Sequence, residues 1–402
     1  LTGVFEFYSE ATVMLLRWLH VIAAIAWIGE SFYFVMLDRA LRAPVDAPAG
    51  VAGELWSVHG GGFYRKQKYA VAPATLPEHL HWSKWKSYTT WLSGAALLAV
   101  LYLASPQVFL IDPATAALTP AQAVGAAIAL PISSWLVYDV LCRAIGLRDA
   151  VLGVAVGLMV LALCYVATQL FAGRAAFVLV GASLATIMSA NVLFVIIPGQ
   201  KRMVAALAAG AIPDPLPGRR GKQRSVHNTY FTLPVVFAML APHYATAYAH
   251  PQSWLVLALF MAAGAAMRQF FVLWHGGGRA WWLLGLGALV IAGTLAWLAP
   301  LPRPTSVARV EASDTSVPDT EAIRVVLARH CTQCHSARPT LMASAPLGVA
   351  YDTTAEIELY AERIHRQVVD LQVMPPGNFT QMSAAERDAI DRWFLARTRA
   401  GR

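Results

Sequence analysis

The chain has 402 residues, of which 57% are hydrophobic and only 13% charged, with a mean hydropathy of +0.52. This composition excludes an ordinary soluble globule and points to a membrane protein. A net charge of +8 does not indicate a nucleic-acid partner, because residues 301–402 balance 12 basic against 12 acidic side chains and the surplus base falls in short connections between apolar runs.

Those runs predict an all-α fold whose first 300 residues form a polytopic bundle of eight transmembrane helices. The expected spans are 11–37, 87–105, 121–141, 150–170, 174–197, 228–249, 253–273 and 279–300, each close to the ~20 residues that a hydrocarbon core requires. The first is too long for the apolar core of a signal peptide, and Trp27 and Glu30 stand where small cleavage residues would be. It carries His20 near one end and Glu30 near the other, and Glu30 reads as a proton acceptor or an interfacial charge. The 38–86 connection follows, with seven Lys/Arg and the segment His59-Gly60-Gly61-Gly62-Phe63-Tyr64-Arg65-Lys66-Gln67-Lys68. Three glycines allow close approach of backbone N–H groups to a ligand, and Arg65, Gln67 and the lysines can hold an anion or a purine-like edge. The bland alternative is anchoring at the membrane surface. His79 and His81 face one side only if that stretch is extended, as a metal pair would need.

Cys142 and Cys164 are single thiols in apolar surroundings and read as packing residues. The 198–227 connection carries six Lys/Arg, and the sixth span is expected to open with His227-Asn228-Thr229-Tyr230. Near its far end Pro242 should disturb the helix beside His243. His20 and His243 fall at similar depth. On facing helices they would ligate a haem b, and the competing reading is two hydrogen-bonded core histidines. The connections 106–120, 171–173 and 250–252 contain no Lys or Arg. The positive-inside rule then makes the basic connections, including 38–86, cytoplasmic and leaves both termini periplasmic in a bacterial inner membrane.

Residues 301–319 read as a Pro-rich periplasmic linker with Pro302, Pro304 and Pro318. The tail, 320–402, contains Cys331-Thr332-Gln333-Cys334-His335. C-x-x-C-H is the attachment signature of a c-type haem: two thiols bond to the vinyl groups, and the adjoining histidine ligates the iron. One covalent haem c is expected, with His335 and Met374 as iron ligands. Met374 lies in Val373-Met374-Pro375-Pro376-Gly377-Asn378, where prolines keep the loop extended. Met382 is the fallback and reads as packing. Ser383-Ala384-Ala385-Glu386 is a capping box for a last helix bearing Ile390, Trp393 and Phe394. A helix over 320–330, the haem motif, a Met-Pro-Pro loop and a capped terminal helix resemble a small class I cytochrome c.

The first 300 residues resemble the bacterial membrane-bound urate oxidase (urate hydroxylase) family, in which an eight-helix domain is fused to a C-terminal cytochrome c. The resemblance rests on Trp18-Leu19-His20, Ala26-Trp27-Ile28-Gly29-Glu30, the His59–Tyr64 segment, Pro77-Glu78-His79-Leu80-His81-Trp82, and His227-Asn228-Thr229-Tyr230 with His243-Tyr244. It implies oxidation of urate to 5-hydroxyisourate, with electrons passed to the haem and on to a downstream cytochrome c or terminal oxidase, without hydrogen peroxide. On that reading Glu30, His59, Arg65, Gln67, His227 and Asn228 are the catalytic candidates, and Cys331, Cys334, His335, Met374, His20 and His243 the cofactor ligands. The competing classes are a membrane-anchored electron carrier and a dehydrogenase of another small substrate. Eight helices with buried histidines exceed what an anchor needs.

Overall fold

The computed structural model describes residues 2–73, 75–299, 317–342 and 344–400. Most of the expected linker therefore lies outside the described residues. Long apolar runs become helices because a backbone surrounded by hydrocarbon must satisfy its own hydrogen bonds. Helix α1 spans Thr2–Ala40, α2 Trp85–Leu98, α4 Pro120–Ile145, α5 Asp149–Leu170, α6 Gly173–Ala190, α7 Ile197–Ala208, α8 Pro215–Leu240, α10 Ser253–His275 and α11 Trp281–Leu298. The short α3 (Pro106–Phe109) and α9 (Ala245–Tyr248) lie in connections. π-helical segments extend α2 over Ala99–Leu103 and join α6 to α7 over Asn191–Ile196.

Helices occur at all eight expected places, but only six, among the described residues, are long and apolar enough to cross a membrane: Glu10–Ala40, Pro120–Ile145, Asp149–Leu170, Gly173–Ala208, Ser253–His275 and Trp281–Leu298. The two exceptions have a physical cause. Helix α2 is short and buries Ser87, Thr90 and Ser93. Helix α8 carries Arg219, Arg220, Lys222, Gln223, Arg224, His227 and Asn228 in its first half. It is held among protein neighbours, packing chiefly on α6 and α10. Small residues allow the approach: a Cβ on Gly264 of α10 would sit 3.1 Å from Leu233, and one on Gly181 of α6 would sit 3.0 Å from Ala238.

Two expectations need correction. The sixth helix does not run over 228–249. Asp214 caps it by accepting from Leu216 N (2.9 Å), Pro215 opens it, and it stops at Leu240 ahead of Pro242. Much of the expected 198–227 loop is thus helical, His227 and Asn228 sit mid-helix, and His243 lies beyond the helix in a 3-10 turn. Nor is 38–86 an open glycine-rich loop. Strands β1 (Val51–His59) and β2 (Gly62–Tyr69) pair antiparallel, with His59 opposite Gly62. Gly60 and Gly61 have φ of +57° and +78°, which fits a two-residue hairpin turn that favours glycine. Those glycines serve the turn.

The bundle core centres on Tyr138, Phe171, Phe177, Leu184, Ile187 and Leu257. The tail has its own core, with Ile323, Leu327, Ile357, Ile364, Ile390 and Trp393 buried among α12 (Thr320–His330), α13 (Thr354–Leu359), α14 (Ala361–His365) and α15 (Ala384–Ala400). Asp319 caps α12 (Ala322 N to Oδ1, 2.8 Å). Ser383 and Glu386 form the capping box of α15, with Ser383 N donating to Glu386 (2.8 Å) and Glu386 N to Ser383 Oγ (3.2 Å).

The bundle has two unlike ends. One carries the hairpin, the end of α4, the start of α8 and His275. The other gathers residues 106–112, the Phe171–Ala172 turn and the α8–α10 connection, with Ala172 N donating to Leu110 O (2.9 Å). The tail meets this second end through Pro376–Asn378, which packs on α3. Gly377 has φ +55°, and a Cβ there would collide with the Ile111 carbonyl.

Candidate functional site

The polar half of α8 builds a buried network with α4 and α6. Arg224, 5% exposed, donates to Asp139 Oδ1 at 2.6 Å and to Asn191 Oδ1 at 3.1 Å, and its guanidinium lies 4.9 Å from the centre of the Tyr138 ring. Arg143 meets the second oxygen of Asp139 at 2.6 Å from an exposed position. With its oxygen committed to Arg224, the Asn191 amide donates to Asn228 Oδ1 (3.0 Å) and to the Tyr138 hydroxyl (3.2 Å). Asn228 in turn donates to Met188 O (3.0 Å). The Tyr138 hydroxyl also meets His227 Nδ1, 2.7 Å away. The chain Asp139–Arg224–Asn191–Tyr138–His227 fixes the orientation of one imidazole ring. Asn191 starts the π-helical segment, an irregularity that recurs at functional sites.

His227 also lines a cleft of about 1110 Å³ between α5, α8 and α10. Val156, Leu161, Phe231 and Met261 make its walls apolar, while Gln223, Tyr230 and Gln269 add polar groups and Arg39, Arg219 and Lys222 add cations. Tyr230 donates to Gln269 Oε1, and Gln223 donates to Asp149 (2.7 Å) and Gly146 O (3.0 Å). An apolar slot with a few fixed polar groups and a surplus of positive charge suits a flat organic anion.

The other candidates at this end of the bundle have structural partners. Arg65 pairs with buried Glu54 (2.7 Å) and donates to the Val45 and Asp46 carbonyls at 2.7 and 2.9 Å. Its hydrogen bond holds the Glu54 carboxyl below the usual carboxylate range, with help from Gln67. Lys66 donates to Ser57, and Lys68 to Asp38. These contacts lock the hairpin onto the end of α1 and leave Arg65 and Gln67 committed to Glu54. His59 is exposed at the end of its strand, and His79 and His81 are exposed. Glu30 accepts from Lys86 (2.7 Å) and Ser83 (2.5 Å), tying α1 to α2.

Among the described residues the two histidines expected to share a haem b have different neighbours. His20 Nδ1 lies 3.0 Å from Thr90 O and 3.1 Å from Ser93 Oγ, and its ring fills the space left by Gly94 on α2. His243 is exposed in a turn that packs on α6. His20 is seated against α2, with Thr90 and Ser93 as its hydrogen-bond partners.

In the tail, Cys334 N (3.1 Å) and His335 N (2.8 Å) both donate to Cys331 O, which folds the motif into one turn. His335 Nδ1–H donates to Val349 O (3.0 Å), so Nε2 keeps its lone pair, as an axial ligand requires. Burial holds the imidazole below its ordinary value. Burial also pushes the Cys331 thiol up to about 12 and raises that of Cys334. Two thiols three positions apart and a histidine with Nε2 free are the donor set that covalent haem attachment uses. Among the described residues no three His, Cys, Asp or Glu converge as metal ligands. Met374 packs on the tail core, and Arg387 Nη1 braces its loop through Val368 O (2.5 Å) and Met374 O (2.9 Å). Met382 is 3% exposed and buried in that core.

Sequence reasoning missed Tyr138, Asp139 and Asn191, gave Tyr230 no role of its own, and counted Arg224 only as a loop charge. A signal existed: Asp139 is the one acidic residue of its apolar stretch, and ionisable groups at membrane depth are functional candidates by default.

The family model described as urate oxidase N-terminal matches residues 6–299 of the chain. No curated protein and no solved structure matches it.

Proposed function

The chain belongs to the urate oxidase N-terminal family, and on that premise we propose that it oxidises urate within the membrane bundle and passes the electrons to a haem c carried by its own tail. Membership supports urate oxidation at the level of the family. The finer reading is supported by one observation: the same chain joins the matched region to a C-x-x-C-H turn whose histidine keeps Nε2 free.

Urate is a planar monoanion near neutral pH. Adding one water and removing two electrons and one proton yields neutral 5-hydroxyisourate. The cleft lined by His227 is where this chain would do it. The apolar walls exclude bulk water and strengthen each polar contact inside. Arg39, Arg219 and Lys222 attract the anion. His227, its ring held by Tyr138, bonds to a urate oxygen or ring nitrogen and orients it. Haem bound at Cys331 and Cys334 would supply a one-electron acceptor, so two transfers follow each urate. Electrons leave through the tail to a downstream cytochrome c or terminal oxidase, and hydrogen peroxide is not formed.

The test is anaerobic. Urate added to the oxidised, purified full chain is expected to lose its ultraviolet band while reduced c-type haem absorbance grows, at two haems reduced per urate. A pyridine haemochrome assay should return one c-type haem per chain. Loss of neither signal on urate addition would favour a simple electron carrier.

A further inference from the structure

Arg268 lies in α10, within the family-matched region, and is 3% exposed. Its Nε and Nη2 are sealed from solvent and have no hydrogen-bond partner among the described residues. Arg224, the other deeply buried arginine, has Asp139. Carboxylates at the same end of the bundle are engaged elsewhere: Glu30 with Lys86, Asp38 with Lys68, Glu54 with Arg65, and Asp149 with Gln223. Around Arg268 the structure places the Phe32 ring of α1, its centre 4.2 Å from the guanidinium carbon, and Tyr230 of α8 within electrostatic range. Arg39 acts on the same tyrosine, and His275 is the other titratable group that feels Arg268. Every charged neighbour on this list is a cation or neutral. The following residue, Gln269, and its partner Tyr230 both line the cleft, so Arg268 sits directly behind the cleft wall.

A buried cation without an anion costs several kcal/mol, and proteins avoid it unless a partner arrives. We propose that Arg268 is the anchor for the substrate anion: a planar monoanionic heterocycle in the cleft reaches past the Tyr230–Gln269 pair and supplies the acceptors that Nε and Nη2 lack. The guanidinium fork matches two adjacent acceptors on a flat ring edge, as a purine-type carbonyl and ring nitrogen present. Phe32 covers the guanidinium from the α1 side, and separation of the Tyr230–Gln269 pair opens the way in. This assignment rests on the urate reading above for the identity of the anion.

The experiment uses the full chain in detergent, with Arg268→Met, Arg268→Lys and wild type compared by urate affinity and by thermal unfolding without ligand. For Arg268→Met the expected result is at least a 30-fold weaker urate affinity, together with a melting temperature, without urate, at or above that of wild type. A merely structural arginine would lower that temperature when removed. Arg268→Lys keeps the charge without the fork and should lose about tenfold in urate affinity, which preserves the test should the methionine variant fail to fold. Caffeine, a neutral methylated purine, should bind all three alike. Urate affinity within threefold of wild type in both variants would overturn the anchor while leaving the functional reading intact. If wild type neither binds nor oxidises urate, the functional reading falls. Nitrate, a planar monoanion, then decides the anchor: stabilisation of wild type but not of Arg268→Met keeps it, and stabilisation of neither, or of both alike, ends it.

Discussion

At the scale of single residues, the bundle holds two buried arginines in opposite circumstances. Arg224 is matched by Asp139 and Asn191, so Asp139→Ala leaves a sealed cation without its counter-charge. A loss of about 3–5 kcal/mol is expected, read as a lower melting temperature in detergent. A change below about 1 kcal/mol would mean that the pair is not sealed as described. In the tail, Glu386 is held at about 2, first by the Ser383 backbone N–H and then by the Ser383 hydroxyl and His330. A depressed carboxyl stabilises the fold above its ordinary value near ~4.3, and that contribution fades as pH falls toward 2. Glu386→Gln should therefore be less stable than wild type at pH 7, with the gap closing between about pH 4 and 2 in acid-unfolding curves. The Cys331–His335 turn and the Ser383 box were legible because each is local, with all its atoms within six residues. The His227 network was not, because it joins Tyr138, Asn191 and Arg224 from three separate helices. A count of charges along the chain treats Arg224 as part of a cytoplasmic loop.

At the scale of elements, the positions of six long apolar helices follow from their runs alone, since each run needs only its own length to declare itself. Helix α8 shows where that reasoning stops. Its first half is too polar for lipid and reads as loop, yet capping by Asp214 and the bonds of Arg224 and Asn228 to α4 and α6 residues make it a helix inside protein. The hairpin had left its trace in Trp56, Val58 and Phe63 flanking Gly60-Gly61, a strand–turn–strand pattern. Reading the glycines as an anion cradle passed over it, and the partners of Arg65 show what those basic residues hold. The loop after Met374 makes its own prediction. Gly377→Ala adds about 1–2 kcal/mol of left-handed strain and drives a Cβ into the Ile111 carbonyl, so the tail should lose its seat on the bundle. The expected outcome is an unchanged haem spectrum with slower urate-dependent haem reduction in stopped-flow mixing. An unaltered rate would show that this contact does not carry the electrons.

At the scale of the whole molecule, the cleft and the tail lie toward opposite ends of the bundle. From His227 to Leu240 the axis of α8 covers about 20 Å, at ~1.5 Å per residue. On the proposed route, oxidation at one end and electron release at the other make each turnover electrogenic. Two negative charges traverse most of the dielectric, and a 100 mV field across a full crossing is worth about 2.3 kcal/mol per charge. In sealed vesicles with the protein inserted in one direction, urate should thus raise a voltage that a potential-sensitive dye reports. Collapsing an imposed voltage with an ionophore should then alter the rate of urate consumption. The catalyst would be coupled to the energy state of its own membrane through the distance between its two halves.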